Sequence, residues 1–262
     1  MIVIDDHTPN EQISKLTLSE LERAIVQQKE KSSTTYRYPS LDALRFELQV
    51  RQEITSAARK LNSSGAKFAK FKNSRCNEAF WIRENNGGFR LKSGIKPSDA
   101  INDIYRNGPM YAFECGTAMV IVWYKAVLES ISPDSFDAYF TNLLLWDGEH
   151  DPNLVLQTTD KGKEAYPGDV QYFENPDFDP DKPEWQGENV VLLKSNLYYG
   201  HGIGIESSER IIAALNNKRK PNSQTSAFLT EYVIHPDFEF IRKFQAKPVT
   251  ARIGDLSLQV WA

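Results

Sequence analysis

Residues 108–130 read GPMYAFECGTAMVIVWYKAVLES, and every position from Ala118 to Trp123 is apolar. A helix that is hydrophobic all round has no face to offer water, so it must lie inside its protein with other elements wrapped about it. Gly108-Pro109 punctuates the chain just upstream, which predicts a helix beginning near Glu114. The apolar run is far too short to cross a bilayer, which takes about 18 or more such residues in succession. The rest of the chain therefore has to supply the cover.

Cys115 falls in the first turn of this helix. Unpaired N–H groups and the positive end of the macrodipole favour a negative group there. A thiol so placed is expected to have its pKa lowered, and the thiolate is the reactive form. Gly116 leaves the approach to the sulfur open. The competing reading is a small buried hydrophobe, the usual fate of a free cysteine. Only Cys76 and Cys115 are present, which excludes a disulfide framework and favours a reducing compartment. Cys76 reads as incidental, in a polar loop.

The predicted elements around the helix are mixed. Thr17-Leu18-Ser19-Glu20 opens a helix that runs out over Gln27 to Ser33, a polar tract taken as a surface connection. Ser40 caps a long helix with Leu41, Leu44, Leu48, Ala58 and Leu61 on one face. Phe80–Ile82 and Phe89–Leu91 flank Asn85-Asn86-Gly87-Gly88 as a hairpin. Short helices follow at Pro97 and over Ser132 to Phe140. Leu143–Trp146, Val170–Phe173, Val190–Leu193 and Leu197–Ile205 read as strands, the last two forming a hairpin. Glu209 to Asn217 is helical, and the tail from Pro221 to Ala262 mixes short apolar and polar runs. With no repeat and no linker, residues 1–262 are expected to form a single domain. Its class is α+β, a central helix packed on an antiparallel sheet.

A formal charge of −4 argues against nucleic acid as the main partner. Lys67, Lys70, Lys72 and Arg75, interleaved with Phe68 and Phe71, are read as a solvated face. The start MIVIDDHTPN lacks the basic and apolar regions of a secretory signal. A cysteine nucleophile needs a group to take its proton and a third to orient or support that group. His7, His150 and His235 read as surface or structural. His201, between Gly200 and Gly202, lies where another backbone or a ligand can approach closely. Glu188, in WQGEN, opens the strand before it. Cys115, Glu188 and His201 in this order suit a thiol hydrolase or transferase; a core histidine and a solvated acid are the plain alternatives.

Together, SGAKFAKF, NGPMYAFECGTAMVIVWY, FENPDFDPDKPEWQGENVVLL and YYGHGIGI resemble the protein-glutamine γ-glutamyltransferase (transglutaminase) family of Bacillus spore coats. The resemblance is weakest before about residue 36 and after about residue 235. It implies a papain-like (NlpC/P60-like) core with extra helices, and catalysis that needs no calcium, metal or cofactor. It implies Cys115 as nucleophile, Glu188 as its acid–base partner, Glu114 as a partly interchangeable second carboxylate, and a supporting role for His201. Trp185 and Phe68 would wall a narrow substrate tunnel. The partners would be coat proteins supplying Gln and Lys side chains, joined by isopeptide cross-links with release of ammonia. Synthesis would occur in the mother-cell cytoplasm, with deposition in the spore coat and no membrane partner. Two other readings stay open: a cysteine peptidase or amidase on the same scaffold, and a structural coat or interaction protein.

Overall fold

The computed structural model describes residues 1–4, 13, 16–160, 164–245, 249–253 and 256–260. His7 lies outside the described residues. Strand β1 (Ile2–Ile4) pairs in parallel with β2 (Tyr36–Tyr38). Between them runs helix α1 (Glu20–Lys31), whose cap Ser19 exchanges hydrogen bonds with Glu22 in a capping box. Ser40 caps α2 (Leu41–Ser63) by accepting from the Ala43 N–H. Next come β3 (Lys67–Phe68) and the hairpin of β4 (Trp81–Arg83) with β5 (Phe89–Leu91). Helix α3 (Pro97–Arg106) leads to β6 (Ala112–Phe113), which pairs in parallel with β3.

The all-round apolar stretch is α4 (Cys115–Ser130), and all its residues except Cys115, Gly116 and Glu129 are buried. Helix α5 (Pro133–Tyr139) and the short β7 (Leu144–Leu145) follow, β7 extending the β4–β5 hairpin. The predicted strand over Leu143–Trp146 is thus reduced to two residues.

The main sheet is built from β8 (Leu156–Thr159), β9 (Val170–Glu174), β10 (Gly187–Lys194), β11 (Leu197–Gly200), β12 (Gly204–Glu206) and β13 (Phe228–Pro236). Their order is β12-β11-β10-β9-β13-β8, with every neighbour antiparallel. Side chains alternate across β10. Val191 and Leu193 join the core that holds α2 and α4, whereas Val190 and Leu192 pack with Ile211 and Leu215 of helix α6 (Ser208–Asn216). Phe238 and Ile241 of helix α7 (Phe238–Arg242) return to the α4 side. Strands β14 (Val249–Ile253) and β15 (Leu256–Val260) pair with each other.

Four expectations need correction. The run Leu197–Ile205 is two strands, not one, because Gly202 and Gly204 take φ of +117° and +94° and turn the chain at His201–Ile203. The tail, read only as mixed short apolar and polar runs, carries β13, a nine-residue strand inside the sheet. Cys76 lies in a loop as read, but its side chain is buried in the core of α2 and α4. The Gln27–Lys31 tract is helical, and its Lys29 is buried beside Glu47. Among the described residues no helix is long and apolar enough to cross a membrane.

Candidate active site

Pairing of β3 with β6 sets Phe68 opposite Phe113, the residue before Glu114. Glu114 is extended and serves as the N-cap of α4. Its carboxylate turns back to accept from the Gly116 N–H at 2.5 Å and from the Thr117 N–H. Cys115, half-buried, opens the helix beside a cavity of about 500 Å3. Phe68, Phe71, Trp123 and Tyr172 give that cavity aromatic walls, and Lys70, Glu184 and Asn189 are among its polar groups. Asn189, on β10, points its amide Nδ2 at the Cys115 sulfur from 3.5 Å.

Glu188, next to Asn189, is buried. Its side chain fits because the facing residue is Gly200: a Cβ there would lie 2.8 Å from Glu188 Oε1. Among the described residues Oε1 makes no hydrogen bond. A buried acceptor left unpaired is unusual and calls for an explanation. Burial and the charge of Glu114 hold the Glu188 carboxyl well above the usual carboxylate range, against the pull of the His201 backbone N–H.

The sulfur departs from the sequence expectation. Its thiol is pushed up to about 12, first by burial and then by the negative charges of Glu188 and Glu114. Hydrogen bonds from the Asn189 side chain and backbone act in the opposite direction. The helix terminus does not rescue the thiolate because Glu114 already occupies two of the N–H groups that would have favoured it. With Glu114 on those N–H groups, the Asn189 amide is the donor aimed at the sulfur.

His201 lies off the sulfur. Its ring stacks on Phe113 at 4.6 Å, its Nε2 pairs with the Lys67 carbonyl at 3.1 Å, and its Nδ1 meets the Tyr199 hydroxyl at 3.0 Å. Burial lowers its pKa to about 4, so the ring is neutral. Its link to the site is the backbone N–H that serves Glu188. Trp185 is not in the cavity wall: it packs with the cluster beneath α6, under the Lys218 ammonium at 5.0 Å, because a 3-10 turn over Pro183–Trp185 carries it there. Pro183, Glu184 and Gln186 of the same segment line the cavity instead. His150 is exposed, and His235 stacks on Phe238 at 5.2 Å.

Sequence reasoning singled out neither Asn189 nor Tyr172 nor Trp123. Asn189 was within reach, since a strand residue adjacent to a candidate base is presented at the same end of the sheet. Tyr172 and Trp123 carried no signal beyond that of core aromatics. No group of three or more His, Cys, Asp or Glu among the described residues is arranged to hold a metal ion.

A family model described as protein-glutamine gamma-glutamyltransferase matches residues 1–245. A protein of that name from Bacillus licheniformis is 44% identical over 227 residues, covering 87% of this chain and 92% of the relative. One from Halalkalibacterium halodurans is also 44% identical, over 213 residues, covering 81% and 75%. A solved structure, a transglutaminase from Geobacillus stearothermophilus without its C-terminal extension, is similar with a TM-score of 0.75 and 47% identity. That similarity covers 82% of this chain and 100% of the other.

Proposed function

Because this chain belongs to the protein-glutamine gamma-glutamyltransferase family, and is thus a transferase, we propose that it works through a thioester on Cys115. Glu188, once ionised, takes the thiol proton as the sulfur attacks the side-chain amide carbon of a protein glutamine. Collapse of the tetrahedral intermediate breaks the C–N bond. The proton passes from Glu188 to the leaving nitrogen, and ammonia departs. A lysine amine then attacks the thioester carbon, the C–S bond breaks, and Glu188 returns the amine's proton to sulfur. The product is an ε-(γ-glutamyl)lysine bond.

What supports this reading above all is a half-buried sulfur, at the mouth of an aromatic-walled cavity, that feels the charge of a buried carboxyl, Glu188, itself raised well above the usual carboxylate range. An ordinary glutamate, near pKa ~4.3, is too weak a base for a thiol near ~8.5. Raising the carboxyl narrows that gap, although burial and the two carboxylates also push the thiol up to about 12, so the proton moves only as the sulfur attacks. Aromatic walls that limit water let the amine compete for the thioester. The core is proposed to be papain-like, with α4 carrying the nucleophile against the antiparallel sheet. Glu114 is the second carboxylate at the sulfur, and His201 positions Glu188 through its backbone. The reaction is proposed to need no calcium. The sequence resemblance supports coat proteins as the cross-linked substrates, with synthesis in the mother cell and deposition in the spore coat.

The test is incorporation of a labelled amine into a glutamine-rich protein. Cys115→Ala is expected to abolish it with the circular dichroism spectrum unchanged. Incorporation that survives this substitution rules the mechanism out. Ammonia release without incorporation, with ample lysine present, would make the protein an amidase.

A further inference from the structure

The wall of the Cys115 cavity contains an ion pair that the thioester mechanism does not use. Lys70 Nζ lies 2.6 Å from Glu184 Oε2, and both residues line the cavity. The two partners are held very differently. Glu184 sits inside the 3-10 turn that starts with Pro183, and its Oε2 is shut off from solvent. Lys70 lies just after β3, and its side chain is half exposed. Burial acts to raise the Glu184 carboxyl, but the hydrogen bond and charge of Lys70 hold it below its ordinary value, with Lys182 adding to the effect. A carboxylate only partly open to solvent thus faces a cation on a flexible stem. Exposed lysine pairs are worth little because the long side chain must be ordered to make them. Such a cation is readily displaced by another of the same chemistry.

The chemistry of Lys70 is that of the group the reaction must bring in. Its ammonium lines the same cavity as the sulfur. The glutamine amide is neutral and gains less from a carboxylate there, a hydrogen bond from its NH2 but no pairing of opposite charges. Glu114 and Asp147 also line the cavity, but Glu114 is committed to the N–H groups of α4. We propose that Glu184 is the docking carboxylate for the ammonium of the incoming amine, and that Lys70 holds that place until the amine displaces it. This rests on the transferase reading above and adds which residue selects the second substrate. Glu184 binds and orients; the docked ammonium gives its extra proton to solvent before attack, and the proton released on attack passes through Glu188 to the sulfur.

The experiment compares two nucleophiles at neutral pH on one glutamine peptide: Nα-acetyl-lysine methylamide, which is charged, and hydroxylamine, which is not. The quantity read is the ratio of their KM values. In Glu184→Gln the ratio of charged to neutral is expected to rise about tenfold, as loss of a charge-assisted hydrogen bond implies. In Lys70→Met it is expected to fall severalfold, because the internal competitor is gone. A ratio within twofold of the unaltered protein in Glu184→Gln overturns the assignment, as does an equal rise in both KM values, which marks a purely structural latch. Lys70→Met leaves Glu184 in place and stays decisive if Glu184→Gln fails to fold: an unmoved ratio there refutes the displacement. If the unaltered protein uses neither nucleophile, the transferase reading fails and this inference falls with it.

Discussion

Glu188 and Cys115 each make the other harder to ionise, and burial works in the same direction on both. Protons therefore leave the pair in two steps that belong to the pair rather than to either residue. The form with a carboxylate beside a thiol is the one that can accept the sulfur's proton when substrate arrives. Activity is accordingly expected to rise with pH above the ordinary carboxylate range, as Glu188 ionises. Glu188→Gln separates the two roles of this residue. It removes the base, so amine incorporation should drop by about 10²–10⁴-fold. It also removes a negative charge from beside the sulfur, so Cys115 should alkylate with iodoacetamide at a lower pH, by about one unit. Peptide mass spectrometry resolved over pH checks this. An onset that stays put or moves upward would mean that Glu188 exerts no charge on the sulfur. The position of Cys115 was legible in the sequence because the apolar run and the Gly-Pro break define the helix start. The electrostatics were not legible, because they depend on a carboxylate folding back over its own helix terminus and on another arriving from the sheet.

The elements most legible in the sequence are those whose ends carry local chemistry. Ser19, Ser40, Pro97 and Ser132 mark helix starts that the structure reproduces, since a cap is a contact between near neighbours. Lys29 shows the limit of such reasoning. In the sequence it is one polar residue among many. In the fold its ammonium bonds the Glu47 carboxylate at 2.6 Å and the Tyr38 hydroxyl at 2.7 Å, and Arg51 joins Glu47 to Asp169. This buried chain ties α1 and α2 to the turn before β9, and only tertiary contact reveals it. Burial favours the neutral acid at Glu47, but Lys29 and Arg51 outweigh it and hold the carboxyl below its ordinary 4.5. Glu47→Gln leaves buried cations short of a counter-charge and should cost about 3 kcal/mol in urea unfolding. The sign of the pH effect follows from the lowered pKa. The unfolded chain binds this proton more readily, so the stability from Glu47 is complete above about pH 4.5 and drains away as pH falls below it. The unaltered protein should therefore lose more stability than Glu47→Gln on acidification from neutrality to about pH 3. Parallel losses in the two proteins would show that Glu47 is not the group titrating.

For the whole molecule, the part of the chain that the sequence left vague turns out to complete the sheet. FLTEYVIHP, the β13 sequence, does not alternate cleanly, and its register against β9 shifts between Leu229 and Val233. A bulge of this kind moves side chains to the other face and erases the period-two signal by which strands are recognised. Yet β13 lies between β9 and β8, and behind it Phe238, Ile241 and Phe244 close the core around α4. A chain ending at Ala227 would leave β9 as a bare hydrogen-bonding edge and open that core, so it should aggregate or fail to unfold cooperatively. Beyond Gln245 the situation differs: β14 and β15 bond to each other in a sheet of their own, and the span matched by the family model ends at residue 245. A chain ending at Gln245 is expected to melt within about 4 °C of the full chain, a shift worth no more than about 1–2 kcal/mol for a protein of this size, and to incorporate amine at an undiminished rate. Calorimetry and the labelled-amine assay on the two truncations decide it. A chain ending at Gln245 that unfolds early would mean the terminal strand pair braces the sheet, and a chain ending at Ala227 that still melts cooperatively would mean β13 is dispensable to it.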